Sequence, residues 1–309
     1  MTTSVQLSGL EAGNPGAFLA ALGVLDVASA AGCPARLRWI QSAGWRPEIS
    51  GVESREDLVE LVLADKQSDR DAEVLGFTYP RESGKKKGEP VGDLKADPDL
   101  LFRNLLAPVA ARASQTDRSA ADACAGLVAE GGVDNNGKSK PTAFHFTAGQ
   151  QSFLEMVQEL RSDVDRDHVT EGLFGPWRNP ARLPAMGWDV ANSREYALRA
   201  TDPSTDPKTC QPAVEWLGVR GLRFFPCFVH RGQTITTAVR GSWKAGRFLW
   251  PVWTGWLDQF TVASLVAQDL EGISSVERRA RGLEAVYEAG IQRSDQGGYG
   301  SFHPPRVLV

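Results

Sequence analysis

Apolar and polar positions follow two rhythms along this chain, a helical one first and a strand-like one later. "NPGAFLAALGVLDVASAAG" (residues 14–32) sets Phe18, Leu19, Leu22 and Leu25 at helical spacing, while Ala17, Ala20, Ala21 and Gly23 leave room for close packing. Asn14 suits the N-cap and Pro15 the first turn, where a missing N–H costs nothing. A short strand is expected before this helix, over 3–8, and another after it in "ARLRWI" (35–40). "SREDLVELVLADKQ" (54–67) predicts an amphipathic helix with Leu58, Val59, Leu61 and Val62 on its apolar side and acids in its first turn.

Gly, Pro and charge then crowd "YPRESGKKKGEPVGDLKADPD" (79–99), which predicts a long exposed loop with Lys85, Lys86 and Lys87 solvated at its tip. Helices over 99–113 and 117–129 come next, followed by a turn cluster "GGVDNNGKSKP" (131–141). A strand "TAFHFTA" (142–148) and a helix "QQSFLEMVQELRS" (150–162) complete this part. From Gly172 the texture changes to short β-like runs: "EYALRA", "LRFFPCFV", "TITTAV" and "RFLWPVW". Two helices, over 255–270 and 274–282, are expected near the end. The class is α+β, with a helix-rich region over 1–170 and a basic, aromatic-rich sheet region over 171–309. The boundary near 165–175 is soft and compatible with one continuous domain.

Composition fits a soluble globular protein: 309 residues, 42% hydrophobic and 23% charged. No apolar run approaches the ~18 residues of a membrane helix; the best candidate, 17–31, is broken by Gly23 and Asp26. No basic stretch followed by an apolar one opens the chain, so the expected location is the cytoplasm, away from any membrane. Cys33, Cys124, Cys210 and Cys227 are scattered with no C-x-x-C, which suits reduced packing thiols. The net charge of −4 conceals an asymmetry. Residues 1–171 hold 18 Lys+Arg against 26 Asp+Glu, whereas 172–250 hold 11 against 5, nine of the cations being arginine. Such a segment suits local contact with phosphate or an acidic partner.

Signatures of catalysis are weak. Gly9, Gly13 and Gly16 lack the Lys of a P-loop and the spacing of a dinucleotide fingerprint, so they read as a turn before a buried helix. The four histidines, His145, His168, His230 and His303, show no metal-ligand spacing, and His145 between two Phe reads as structural. No Gly-x-Ser-x-Gly elbow exists. No catalytic residue, cofactor or metal is assigned, and a non-enzymatic role is expected. A dispersed active site would instead show as a deep pocket in which His145 or His230 meets a carboxylate.

The basic segment offers a different signal. Residues 175–205 interleave Arg178, Arg182, Arg194 and Arg199 with Trp177, Trp188 and Tyr196, and residues 238–256 repeat the mixture with Arg240, Trp243, Lys244 and Arg247. Guanidiniums clamp phosphates and aromatic faces stack on unpaired bases, so these cations are candidate nucleic-acid contacts and Trp243 a candidate stacking platform. In the competing reading Trp188, Trp216, Trp250 and Trp253 are core, and the arginines are solvated or paired with Asp189, Glu195 and Asp202.

Several stretches resemble a known family. The opening "L.GL...NPGAFLAALGVL" looks like the N-terminal signature of CRISPR-associated proteins from subtype I-U systems, also called I-G. "WDVANSREYALRATDPS", "AVEWLGVRGLRFFP" and "VERRARGLEAVYEAGIQRSDQGGYGSF" resemble the accessory family of those systems, which is encoded beside, or fused to, the helicase-nuclease. Most of 50–140 carries no likeness. The resemblance implies a non-enzymatic subunit of an RNA-guided antiviral complex. Its partners would be the effector subunits, the helicase-nuclease, and DNA or guide RNA. An adaptor that bridges protein to protein without touching nucleic acid is the alternative.

Overall fold

The computed structural model describes residues 3–68, 70–80, 86–113, 118–147, 151–178, 183–192, 210–293 and 299–308. β1 (Ser4–Gln6) leads into α1 (Pro15–Ala30), and the expected cap is in place: Asn14 Oδ1 accepts from the Gly16 N–H at 3.0 Å. β2 (Arg36–Ser42) and β3 (Gly44–Ser50) form a tight antiparallel hairpin, with β1 on the other side of β3. The sequence pattern does not predict β3, because Pro47 sits inside it. Pro47 lies opposite Trp39, and its carbonyl accepts from the Leu7 N–H at 2.9 Å.

α2 (Arg55–Gln67) begins at Ser54, whose hydroxyl accepts from the Asp57 N–H at 3.1 Å. After α3 (Ala72–Leu75), the predicted loop is exposed at 86–90, but its return leg is not. Val91 donates to the Phe77 carbonyl, and Val91, Leu94 and Ala96 enter the core. α4 (Pro98–Leu101) passes through a π turn (Phe102–Leu106) into α5 (Ala107–Ala113), and α6 (Ser119–Ala125) follows. Residues 142–147, expected as a strand, form a turn in which the His145 N–H reaches the Thr142 carbonyl at 3.1 Å. The reason is where its carbonyls go. Trp188 Nε1 donates to Phe144 O and Arg293 to Ala143 O and His145 O, so side chains take the place of a neighbouring strand.

α7 (Phe153–Asp163) and α8 (Arg166–Phe174) precede α9 (Pro212–Gly221), a buried helix that the β-like reading of "LRFFPCFV" does not anticipate. That run is a 3-10 turn (Leu222–Phe224) handing over to β4 (Cys227–His230), which pairs with β5 (Gln233–Thr236). β6 (Val239–Gly241) and β7 (Ala245–Trp253) follow. α10 (Gln259–Val266) and α11 (Ser275–Ala280) are shorter than expected. β8 (Leu283–Arg293) pairs along nearly all of β7, with β9 (Gly300–Phe302) and β10 (Arg306–Val307) on its other edge. The larger sheet thus runs β10-β8-β7-β6, wholly antiparallel, and the fold is α+β with sheets mostly in the C-terminal half. The expected strand "EYALRA" lies outside the described residues.

α1 and α9 touch backbone to backbone. A Cβ on Gly23 would lie 1.9 Å from the Leu217 carbonyl oxygen, and one on Gly221 2.1 Å from that of Leu19. Phe18, on α1, packs among Trp39, Phe248, Trp250 and Trp253 at centroid distances of 5.7–6.4 Å, so one aromatic cluster joins the small sheet, α1 and the large sheet. Trp188, Trp216, Trp250 and Trp253 are core residues, as the competing reading holds. Trp250 and Trp253 donate their indole N–H to Ala12 O and Leu37 O at 2.8 and 3.0 Å. Beside the same helices lies a buried ionic network. Asp26 and Asp65 share Arg70 at 2.7 Å each, Arg220 bridges Asp65 (2.7 Å) and Asp71, and Arg223 reaches Asp26. Among the described residues no helix is long and apolar enough to cross a membrane.

Candidate nucleic-acid interface

Three turns wall a groove of about 840 Å³. The first is the 133–141 cluster, folded around Asp134, whose carboxylate accepts from the Asn136 and Lys138 N–H groups at 2.8 and 2.9 Å. Short polar side chains that bond their own backbone two residues on are what make such a stretch a turn. The second is the β4–β5 hairpin end with Gln233 and Thr234, and the third is the β6–β7 connection, Gly241 to Lys244. Cross-ties fix them together. Lys140 Nζ donates to Gln233 Oε1 at 2.6 Å, and Thr234 Oγ1 donates to Lys140 O at 2.7 Å.

Lys95, Lys140 and Lys244 line this groove against a single carboxylate, that of Asp134. Arg293 lies behind the Trp243 ring, its Cζ 3.5 Å from the ring centroid, with the Lys140 ammonium 5.2 Å from the same centroid. Its guanidinium donates to Trp243 O (3.1 Å), His145 O (2.9 Å) and Ala143 O (2.6 Å), all neutral acceptors. Among the described residues no carboxylate forms an ion pair with Arg293, Lys95 or Lys140. Burial alone pulls Arg293 down to about 9. Burial also lowers Lys95 and Lys140, and the Arg293 charge lowers both further, against a partial rise from Asp93 and Asp134 at Lys95 and from Asp134 at Lys140. Two of these basic side chains thus line one recess, with the third behind its wall. That arrangement attracts an anion and prefers one that can enter.

The cations singled out from sequence are distributed differently. Trp243 and Lys244 line the groove, and the ring of Trp243 already carries a guanidinium from its own chain. Arg240 and Arg247 face each other across β6 and β7, a like-charge pair that neighbouring carboxylates hold. Arg240 meets Asp269 at 3.3 Å, and Arg247 meets Glu271 at 2.6 Å and Glu288 at 2.8 Å; Glu288 also binds Arg306 at 2.7 Å. Arg178 is exposed and bound to Glu171 at 2.7 Å. Burial raises the Glu171 carboxyl, but hydrogen bonds from the Arg178 N–H and guanidinium outweigh it and hold the group below its ordinary range. Asp189, named as an arginine partner, instead accepts from Asn14 Nδ2 at 3.0 Å and from the Ala191 N–H at 2.9 Å. Arg182, Arg194 and Arg199 lie outside the described residues.

Lys95 and Lys140 in the groove, and Arg293 behind its wall, are cations that the sequence pattern does not single out. Two belong to the acidic first region, where segment charge hides them. The third ends a strand whose alternation turns it inward. The one local signal is the Lys/Asn-rich turn "DNNGKSKP", which reads only as a turn.

A His–carboxylate pair does exist: His145 Nε2 donates to Asp93 Oδ1 at 2.7 Å, with Thr147 Oγ1 3.2 Å from the same nitrogen. His145 is wholly buried, stacked on Phe153, and does not line the groove. Burial lowers its pKa more than Asp93 raises it, so the ring is neutral. Through the Lys95 N–H, which donates to Asp93 Oδ1 at 3.1 Å, this pair steadies the loop that carries Lys95. Among the described residues no group of three or more His, Cys, Asp and Glu is placed to hold a metal ion. Compared with known proteins, the chain matches no protein-family model and no curated protein.

Proposed function

We propose that the chain is a non-enzymatic accessory or effector subunit of a CRISPR antiviral defence complex, and that it holds nucleic-acid backbone in the groove lined by Lys95, Lys140, Trp243 and Lys244, with the Arg293 charge behind the Trp243 ring. The place in such a complex rests on the sequence resemblance. The observation that carries the contact is the recess lined by Lys95 and Lys140, backed by Arg293 behind Trp243, three cations that form no ion pair with a carboxylate among the described residues. A buried charge without a counter-charge is costly, and a phosphate supplies one. On this reading Arg240 and Arg247, already bound to acids, contribute less than the sequence expectation assigns them.

The test is fluorescence anisotropy of the purified chain with labelled DNA and RNA across a salt series. Binding is expected to weaken with salt by about 0.7 to 0.9 in log–log slope for each phosphate neutralised. Replacing Lys95 and Lys140 together by Ala is expected to lower affinity more than replacing Arg240 and Arg247 together, and to flatten the slope by about 1.4 on a single strand. No binding at low salt would overturn the reading and leave the adaptor alternative, in which the chain copurifies with the helicase-nuclease and ignores free nucleic acid.

A further inference from the structure

We propose that the groove selects an unpaired strand, RNA or DNA, over a duplex, an inference that rests on the nucleic-acid reading above. Three features of the recess point this way.

The first is depth. Apart from Lys244 at the exposed rim, the cations at the groove do not stand on a ridge. Lys95 and Lys140 are half-buried, and Arg293 is only 9% exposed. Proteins that hold duplex backbone without entering a groove do so with cations on protruding surfaces, because paired phosphates lie on the outside of a stiff cylinder and cannot bend inward. A single strand turns freely about its backbone and can carry a phosphate down to a recessed charge.

The second is size. About 840 Å³ lies within the range of sites for small ligands and accommodates a short run of nucleotides, whereas a duplex requires an open face. The exposed rim residues Asn135, Asn136 and Lys244 mark its mouth.

The third is chemistry. Beside the cations the lining carries amides, Asn135, Asn136 and Gln233. The Gln233 oxygen accepts from Lys140, and its NH₂ is a donor in the lining. Amides pair with Watson–Crick and Hoogsteen edges, and the Watson–Crick edge is presented only by an unpaired base. Trp243 does not serve here as a bare stacking platform. Its ring covers the Arg293 guanidinium at 3.5 Å, so that charge sits behind the ring and outside the lining, where it adds positive potential for a phosphate held by the lysines.

The experiment compares a labelled oligo-dT strand, an oligo-U strand and a mixed-sequence duplex of the same length on the intact chain. The strands are expected to bind about tenfold tighter than the duplex, and Lys95→Ala/Lys140→Ala to remove that preference while Arg103→Ala, outside the groove lining, keeps it. Circular dichroism of each variant reports folding, and Trp243→Phe, which keeps an aromatic ring over Arg293, serves as a milder second probe expected to retain partial preference. Equal or tighter binding of the duplex would overturn this inference while leaving backbone contact standing. Displacement of the strand by an equal concentration of mononucleotide would also overturn it, since the site would then hold a free nucleotide. Failure of all three probes to bind at low salt would remove the underlying reading as well. The oligo-U and oligo-dT arms tell RNA from DNA.

Discussion

Arg293 concentrates the argument at the scale of one residue. Its three hydrogen bonds go to neutral carbonyls, so the guanidinium is oriented but not neutralised. Below about pH 9 it is charged in the folded chain, and between that value and its higher ordinary value the unfolded chain keeps a proton that the folded one has released. Stability from this group therefore rises with pH across that window, while the positive charge behind the groove wall is lost. Lys95 and Lys140, both pulled below 10.5, release their protons in the same direction. Strand binding is accordingly expected to be flat through neutral pH and to weaken as pH passes about 9, which anisotropy at fixed ionic strength will read. Affinity that stays constant to pH 10.5 would mean that these three groups are not the contacts. Trp243 and Lys244 are legible in the sequence because they sit in a dense Arg/Trp stretch. Arg293 is not legible, because only the pairing of β8 with β7 and the closure of the 142–147 turn bring it under that ring.

At the scale of the element, the chain shows where pattern suffices and where packing overrides it. α1 is apolar around nearly its whole circumference, Asp26 excepted, and carries its own cap, so its place and burial follow from the local pattern. β7 follows from "RFLWPVW" despite Pro251, whereas β3 contains Pro47 and β8 begins with Leu, Glu and Ala, which favour helices; neighbouring strands decide those two. α9 was hidden by the aromatic run that follows it, although Gly218 and Gly221 mark a surface for close approach. That approach makes an opposite-sign prediction. In an exposed helix interior Gly→Ala stabilises by up to about 1 kcal/mol. Gly23→Ala would set a methyl against the Leu217 carbonyl, which backbone cannot yield cheaply, so a loss of about 1–3 kcal/mol is expected. A urea titration measures it; a midpoint that rises would show that α1 and α9 do not meet as described.

At the scale of the whole molecule, two clusters of acid–arginine pairs each gather three arginines. On the β6–β8 face, Asp269, Glu271 and Glu288 hold Arg240, Arg247 and Arg306. In the interior, Asp26, Asp65 and Asp71 hold Arg70, Arg220 and Arg223, three charges against three, tying α1, the end of α2 and α9 together. The groove stands apart from both, which is why its cations matter although the segment count favours residues elsewhere. Summed charge along the sequence locates arginines but not their counter-charges, and so most of the interface was illegible until the fold paired them. The interior network also carries a prediction independent of any ligand. Asp26 is nearly inaccessible and serves two guanidiniums, so Asp26→Ala strands both Arg70 and Arg223 with reduced compensation. A loss of about 3–5 kcal/mol is expected, the range for breaking a buried pair from one side. Asp26→Asn, which keeps the shape and one acceptor, should lose less. Chemical denaturation of the two variants orders them; a loss under about 1 kcal/mol for Asp26→Ala would mean that water reaches the network and that α1 is held to α9 by packing alone.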